Sequence, residues 1–181
     1  MLHSALKMYD YHVWANGVII DRLKELPKDI YHKEIQTGFS SVSKVLSHIY
    51  LVDRGWFEIV SGKSMKEAMA STNQLREQVE TKSIDEMETI FFDLYKRFKA
   101  YLDHQEDVEK EIVVDNPYAG ILDTSISESV LHVVTHGSYH RGNIATMLRQ
   151  MGHTSVMQDY GLFLYSNKET DSEKVDNLET N

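Results

Sequence analysis

Cysteine is absent from the chain. That excludes disulfides, thiolate metal ligands and a cysteine nucleophile of the protein's own, so any metal must be held by histidine, aspartate or glutamate. Positive charge is also short: 19 Lys and Arg stand against 28 Asp and Glu, for a formal charge of −9. Sequence-independent binding to nucleic acid needs Lys and Arg to neutralise phosphates, so no nucleic-acid partner is expected. Long apolar runs are missing as well. The N-terminal stretch MLHSALKMYDYHVWANGVII mixes apolar and polar residues at helical spacing, which reads as neither a signal peptide nor a membrane span. A cytoplasmic location without membrane partners follows by default. Proline occurs only twice, so each one marks a boundary.

What is present is the composition of an ordinary soluble globular protein, 41% hydrophobic and 26% charged over 181 residues, enough for one real core. We expect a single domain over residues 1–165 and an acidic, disordered tail over residues 166–181. In that tail Glu169, Asp171, Glu173, Asp176 and Glu179 face only Lys168 and Lys174, and apolar residues are almost lacking.

Four helical patterns stand out. The first runs from about Leu2 to Leu26 through Leu6, Tyr9, Val13 and Ile20, and Pro27 stops it. The second begins after Ser40 or Ser41 and carries Val42, Val45, Leu46, Ile49, Val52, Trp56 and Val60 to an end at Gly62. A short helical turn over Ser64–Ala70 is expected next. The third helix opens on the capping box Ser83-Ile-Asp-Glu86 and runs to about His104. Between Glu111 and Ile126 the β-branched runs EIVV and GILDTSI predict two short strands or an extended crossover. The fourth helix starts near Ser125 or Ser127 and stops at Gly152. The fold class is therefore all-α: a four-helix bundle with one long crossover, in which the two β-branched runs either pair as a short β-hairpin before the last helix or stay extended.

The chemistry lies in that last helix, where His132, His136 and His140 recur every fourth residue. At about 100° per residue, Val133, Gly137, Ile144, Met147, Leu148 and Met151 define its buried face. His140 lies near the centre of that face and His136 on its flank, while His132 is turned about 110° away, toward the surface. The three cannot share one ion, because His132 and His140 are about 12 Å apart along the axis and ligands converge at about 2.1 Å from a metal. His136 and His140 are the candidate pair. The competing reading, hydrogen-bonded core histidines, must explain why two imidazoles are buried together at a cost. The zincin pattern H-E-x-x-H is excluded, since Gly137 follows His136 and no general-base glutamate stands between the ligands.

A third ligand must come from elsewhere. His48, at the edge of the stripe formed by Val45, Val52 and Ile59, and His12, on the apolar side of the first helix, both qualify, and spacing does not choose between them. His3, His32, His104 and His153 fall at helix ends or in loops and are expected to be solvated. Arg141 is expected to make a structural salt bridge in the bundle rather than bind an anionic cofactor. Asp53 and Glu58 are expected to be solvated charges rather than partners of metal ligands. Trp14, Trp56 and Tyr50 are expected in the core or an interface. Gly137 is expected to permit a close helix approach.

The stretch HVVTHGSYHRGNIATMLRQMG resembles the signature of the DinB/YfiT-like family of bacterial four-helix-bundle metal proteins, whose last helix carries H-x3-H-R-G. Three further pieces resemble that family in order: YHVWANGVIIDRLKELP, SVSKVLSHIYLVDRGWF and DYGLFLYS. The resemblance implies a divalent metal held by one histidine of the second helix and two of the last, which are His48, His136 and His140 here. It leaves His12 without a ligand role. It also implies a metal accessible to water, and for some members thiol-dependent S-transfer or isomerisation with bacillithiol or mycothiol.

A neutral tris-imidazole site suits zinc or nickel and leaves a coordination position free. The leading expectation is a metal-dependent thiol S-transferase acting on a small electrophile, with an external low-molecular-weight thiol because the chain has none. A metal-dependent hydrolase using activated water is the alternative, and a non-catalytic, homodimeric metal-binding stress protein is a third.

Overall fold

The computed structural model describes residues 3–167. Its elements are α1 (Ser4–Glu25), α2 (Lys28–His32), α3 (Val42–Val60), α4 (Met65–Glu80), α5 (Ile84–Asp103), β1 (Glu111–Asn116), β2 (Gly120–Ser125) and α6 (Ile126–Gln150). A helical stretch follows at residues 160–167. Residues 168–181 of the expected tail, and the Leu2 expected on the first helix, lie outside the described residues.

The bundle is made of α1, α3, α5 and α6, with α6 packed between α1 and α3 and α5 closing the opposite side. The helix starts follow from their caps. Ser41 Oγ accepts from Lys44 N at 3.3 Å, and Ser125 Oγ from Glu128 N at 3.2 Å, which settles both N-caps. The Ser83–Glu86 capping box closes in both directions. His3, expected to be solvated, instead caps α1 by accepting from Ala5 N at 3.2 Å and meets Glu109 at 2.9 Å. The core lies where the helices' apolar stripes meet: Tyr9, Ile19, Leu46, Ile49, Phe91, Phe98, Ile144 and Met147 are almost fully buried. Each such side chain contributes about 1.5–3 kcal/mol of transfer free energy.

The helices at Lys28–His32 and at residues 160–167 were not expected, and a further element is longer than expected. The short turn expected at Ser64–Ala70 is a helix of 16 residues, α4, opened by a second capping box of Ser64 and Glu67. It lies outside the bundle against α3 and β1, and only Ala68 and Val79 on it are buried. That sparse apolar face is why periodicity understated it.

The long crossover between α5 and α6 holds the antiparallel hairpin, in register from Glu111 opposite Ser125 to Asn116 opposite Gly120. Asn116 Oδ1 accepts from Tyr118 N at 2.9 Å, and Gly120 takes the positive φ of 87° that closes the turn. Among the described residues, no helix is long and apolar enough to cross a membrane.

Candidate metal centre

His48 comes from the middle of α3, and His136 and His140 come from successive turns of α6. Val45, Leu46 and Ile49 anchor α3 in the core with no exposure, which sets His48 at the edge facing α6. The Nε2 atoms of His48 and His136 lie 3.1 Å apart. Ring centroids are 4.6 Å apart for His48 and His140 and 4.4 Å for His136 and His140. One nitrogen from each ring lies within 4.8 Å of the other two, so the group could hold a metal ion. Tetrahedral ligands at about 2.1 Å from an ion stand about 3.4 Å from one another, so small ring rotations suffice.

The electrostatics suit that role. Burial pushes the His48 imidazole down to about 4, helped by His140 and by the Arg76 guanidinium. Burial and the neighbouring histidines push His136 down to about 3. Burial lowers His140 too. The rings are therefore neutral at neutral pH and their lone pairs are free to coordinate. His136 Nδ1 is buried without a hydrogen-bond partner, and the Asn143 side-chain amide lies 3.3 Å from His140 Nδ1.

Phe39, in the loop before α3, packs on His48 and His140 with centroids at 5.2 and 5.4 Å. Cavities open on both sides of the trio. One of about 200 Å³ runs from His48 between α3 and α4. Another of about 370 Å³ lies at His140, Phe39, Tyr139 and Asn143.

His12 is brought elsewhere. It is fully buried and its Nε2 lies 2.8 Å from Asp53 Oδ2. Asp53 thus corrects the expectation of a solvated charge: it has no exposure, and burial raises its carboxyl pKa against the pull of His12. Glu58 is likewise buried, between Arg54 and Lys63 at 3.2 Å each. Arg141 is structural but bonds neutral partners rather than a carboxylate. Its Nη1 donates to Asn16 Oδ1 at 2.8 Å and its Nη2 to Ser138 Oγ at 3.1 Å. Asn16 Nδ2 donates in turn to Tyr95 OH.

His132 is exposed and stands over Trp56 at 4.8 Å, outside the trio. Tyr50 is buried against Phe91, and Trp14 packs on Phe163. Trp56 belongs both to the edge of the core and to the wall of the α3–α4 cavity.

Phe39 and Asn143 went unread in the sequence. Asn143 follows His140 by three residues, the spacing of helical neighbours, and that signal was available. Phe39 sits in a loop, where no periodicity marks it.

The sequence and the fold match known proteins. The chain is 52% identical over 168 residues to Protein DinB of Bacillus subtilis (strain 168), covering 93% of this chain and 98% of that one. A DinB-like protein of Bacillus cereus ATCC 10987 superposes with a TM-score of 0.61 at 17% identity, over 84% of this chain and 94% of its own. A variant of the mycothiol-dependent maleylpyruvate isomerase superposes with a TM-score of 0.58 at 10% identity, over 75% of this chain and 58% of its own. The model of the DinB family matches residues 1–174, and with that coverage the chain belongs to the DinB family.

Proposed function

We propose that the chain binds one divalent metal ion, zinc or nickel, through His48, His136 and His140, and that it is a metal-dependent enzyme of the thiol S-transferase class. Its substrates are small electrophiles, and its thiol is an external low-molecular-weight one of the bacillithiol type. The observation that carries this reading is the convergence of three neutral imidazoles, from α3 and α6, between two open cavities. A closed structural site has four protein ligands, whereas three leave a position for a reactant. The absence of cysteine requires that any thiol be brought in, and the name of the mycothiol-dependent structural relative is compatible with that.

When bound, the ion supplies a Lewis acid that makes a thiol more acidic at neutral pH. The protein's own residues do the rest. Asn143 steadies the His140 ring, and Phe39 packs against His48 and His140 at the wall of the cavity beside them.

Metal analysis of the purified protein beside His48→Ala, His140→Ala and His12→Ala variants tests the site. One ion per chain is expected in the wild type and in the His12 variant, with loss in the other two. A full complement in His140→Ala removes the proposal. With metal loaded, thiol consumption with a model electrophile is expected; ester cleavage without thiol would point to the hydrolase, and inactivity in both assays to a binding protein.

A further inference from the structure

The cavity between α3 and α4 takes no part in holding the trio in place. We infer that it binds a small amphipathic carboxylate, with the anionic end at Arg76 beside His48 and the apolar body lying along Trp56 and Met65. This names a ligand class for the site proposed above, and it rests on that reading only for the ion at the head of the groove.

The two helices run antiparallel, as their contacts show. Ser47 Oγ donates to the Val79 carbonyl at 3.2 Å, Gly55 faces Thr72, and Ser71 Oγ donates to Glu58 Oε1 at 3.3 Å. His48 and Arg76 therefore share one end of the groove, while Ile59 and Met65 share the other. From His48 to Ile59 the groove runs about 16 Å at 1.5 Å per helical residue. Its walls between those ends are mostly apolar: Leu51, Val52, Trp56, Ala68 and Met69.

The head of the groove is positive within an acidic protein. Among the described residues, no Asp or Glu lines the cavity. Among the described residues, the hydrogen bond seen for the Arg76 side chain goes to a neutral group, Asn73 Oδ1, at 3.2 Å. Arg76 is exposed at the end of the groove where His48 lies, and a guanidinium with no carboxylate partner among the described residues offers its fork to a carboxylate.

Gly55 keeps the groove open. A Cβ there would sit 3.6 Å from Thr72 Cγ2, an ordinary contact, so packing would tolerate an alanine. What the glycine provides is room, and a larger side chain at this position enters the groove.

The test is calorimetric titration of the full chain, metal-loaded and metal-free, with octanoate, acetate and 1-octanol. Octanoate is expected to bind more tightly than either of the others. Arg76→Gln is expected to weaken octanoate about tenfold, as loss of a charge-assisted pair does, with partial recovery in Arg76→Lys. Gly55→Leu is expected to weaken octanoate and leave acetate unchanged, with Gly55→Ala as the milder control for folding. Octanoate binding that ignores Arg76→Gln, or 1-octanol binding as tightly as octanoate, overturns the inference in protein that carries its metal. Arg76-dependent octanoate binding in protein that never takes up metal keeps this inference and removes the proposed function instead.

Discussion

The Cα of Gly137 lies directly against the imidazole of His12. A methyl group there would sit 2.7 Å from His12 Nδ1, closer still to Cε1, and 3.0 Å from Arg141 Nη1. The glycine one residue after His136 is thus the socket into which α1 presses a buried histidine. The close approach expected at Gly137 is made by a side chain rather than by a neighbouring helix backbone.

Gly137→Ala sets two effects against each other. Alanine favours the helix by about 1 kcal/mol, whereas overpacking costs about 1–3 kcal/mol. Overpacking wins because His12 cannot swing away: Asp53 holds its Nε2 at 2.8 Å and Arg141 stands 3.3 Å from its Nδ1. Urea unfolding should show a net loss of about 1–2 kcal/mol. A gain in stability would mean that the ring is free to move.

His12→Ala removes one member of a fully buried pair and strands the other. Asp53 already has Oδ1 without a partner, so the variant leaves its carboxylate unpaired in the core, at a cost of about 3 kcal/mol at pH 8. Burial raises the Asp53 pKa in the folded state, so the fold takes up a proton more readily than the unfolded chain does. Stability tied to this group therefore rises as pH falls through the folded pKa. The deficit of the variant against wild type should shrink from pH 8 toward pH 5 in parallel unfolding curves. A deficit constant across that range would show that Asp53 is not the stranded group.

Ser64→Ala probes the helix that periodicity understated. Ser64 Oγ accepts from Glu67 N at 3.3 Å and Glu67 Oε2 accepts from Ser64 N at 2.9 Å. Breaking this box costs about 1 kcal/mol. Because α4 buries only Ala68 and Val79, the loss should appear locally, as faster amide exchange in residues 65–70 with little change in α1 or α6. Uniform acceleration across all helices would show that α4 unfolds only with the bundle.

The bundle helices were legible because each carries a long apolar stripe, opened by a serine cap in α3, α5 and α6 and closed by Pro27 in α1. The pair His136 and His140 was legible because both lie on one helix, where angle alone separates them from His132. The choice between His48 and His12 was not legible. Both lie on bundle-facing positions, and which one meets His136 and His140 depends on how α1 and α3 are rotated. The answer turns on Asp53, 41 residues from His12, whose burial no local pattern announces because an isolated carboxylate reads as solvated. Phe39 was hidden for a different reason: loop residues reach a site by tertiary packing, which leaves no period in the chain.

The metal-free protein should be acid-sensitive in a window set by the trio. In the unfolded chain these histidines titrate near the ordinary 6.5, whereas in the fold His48 is held down to about 4 and His136 to about 3. The folded state therefore refuses protons that the unfolded chain accepts. The stability it has above pH 6.5 should fall away as pH drops through about 4. A bound divalent ion competes with protons for the same lone pairs and binds only the folded arrangement. Adding zinc at pH 7 should thus raise the melting temperature, and the gain should vanish on acidification before the fold itself is lost. In the triple variant His48→Ala, His136→Ala and His140→Ala, both the acid slope between pH 6.5 and 4 and the zinc-induced shift should flatten. A triple variant that keeps the wild-type slope would place the acid-sensitive groups elsewhere, and one that keeps the zinc shift would place the ion elsewhere.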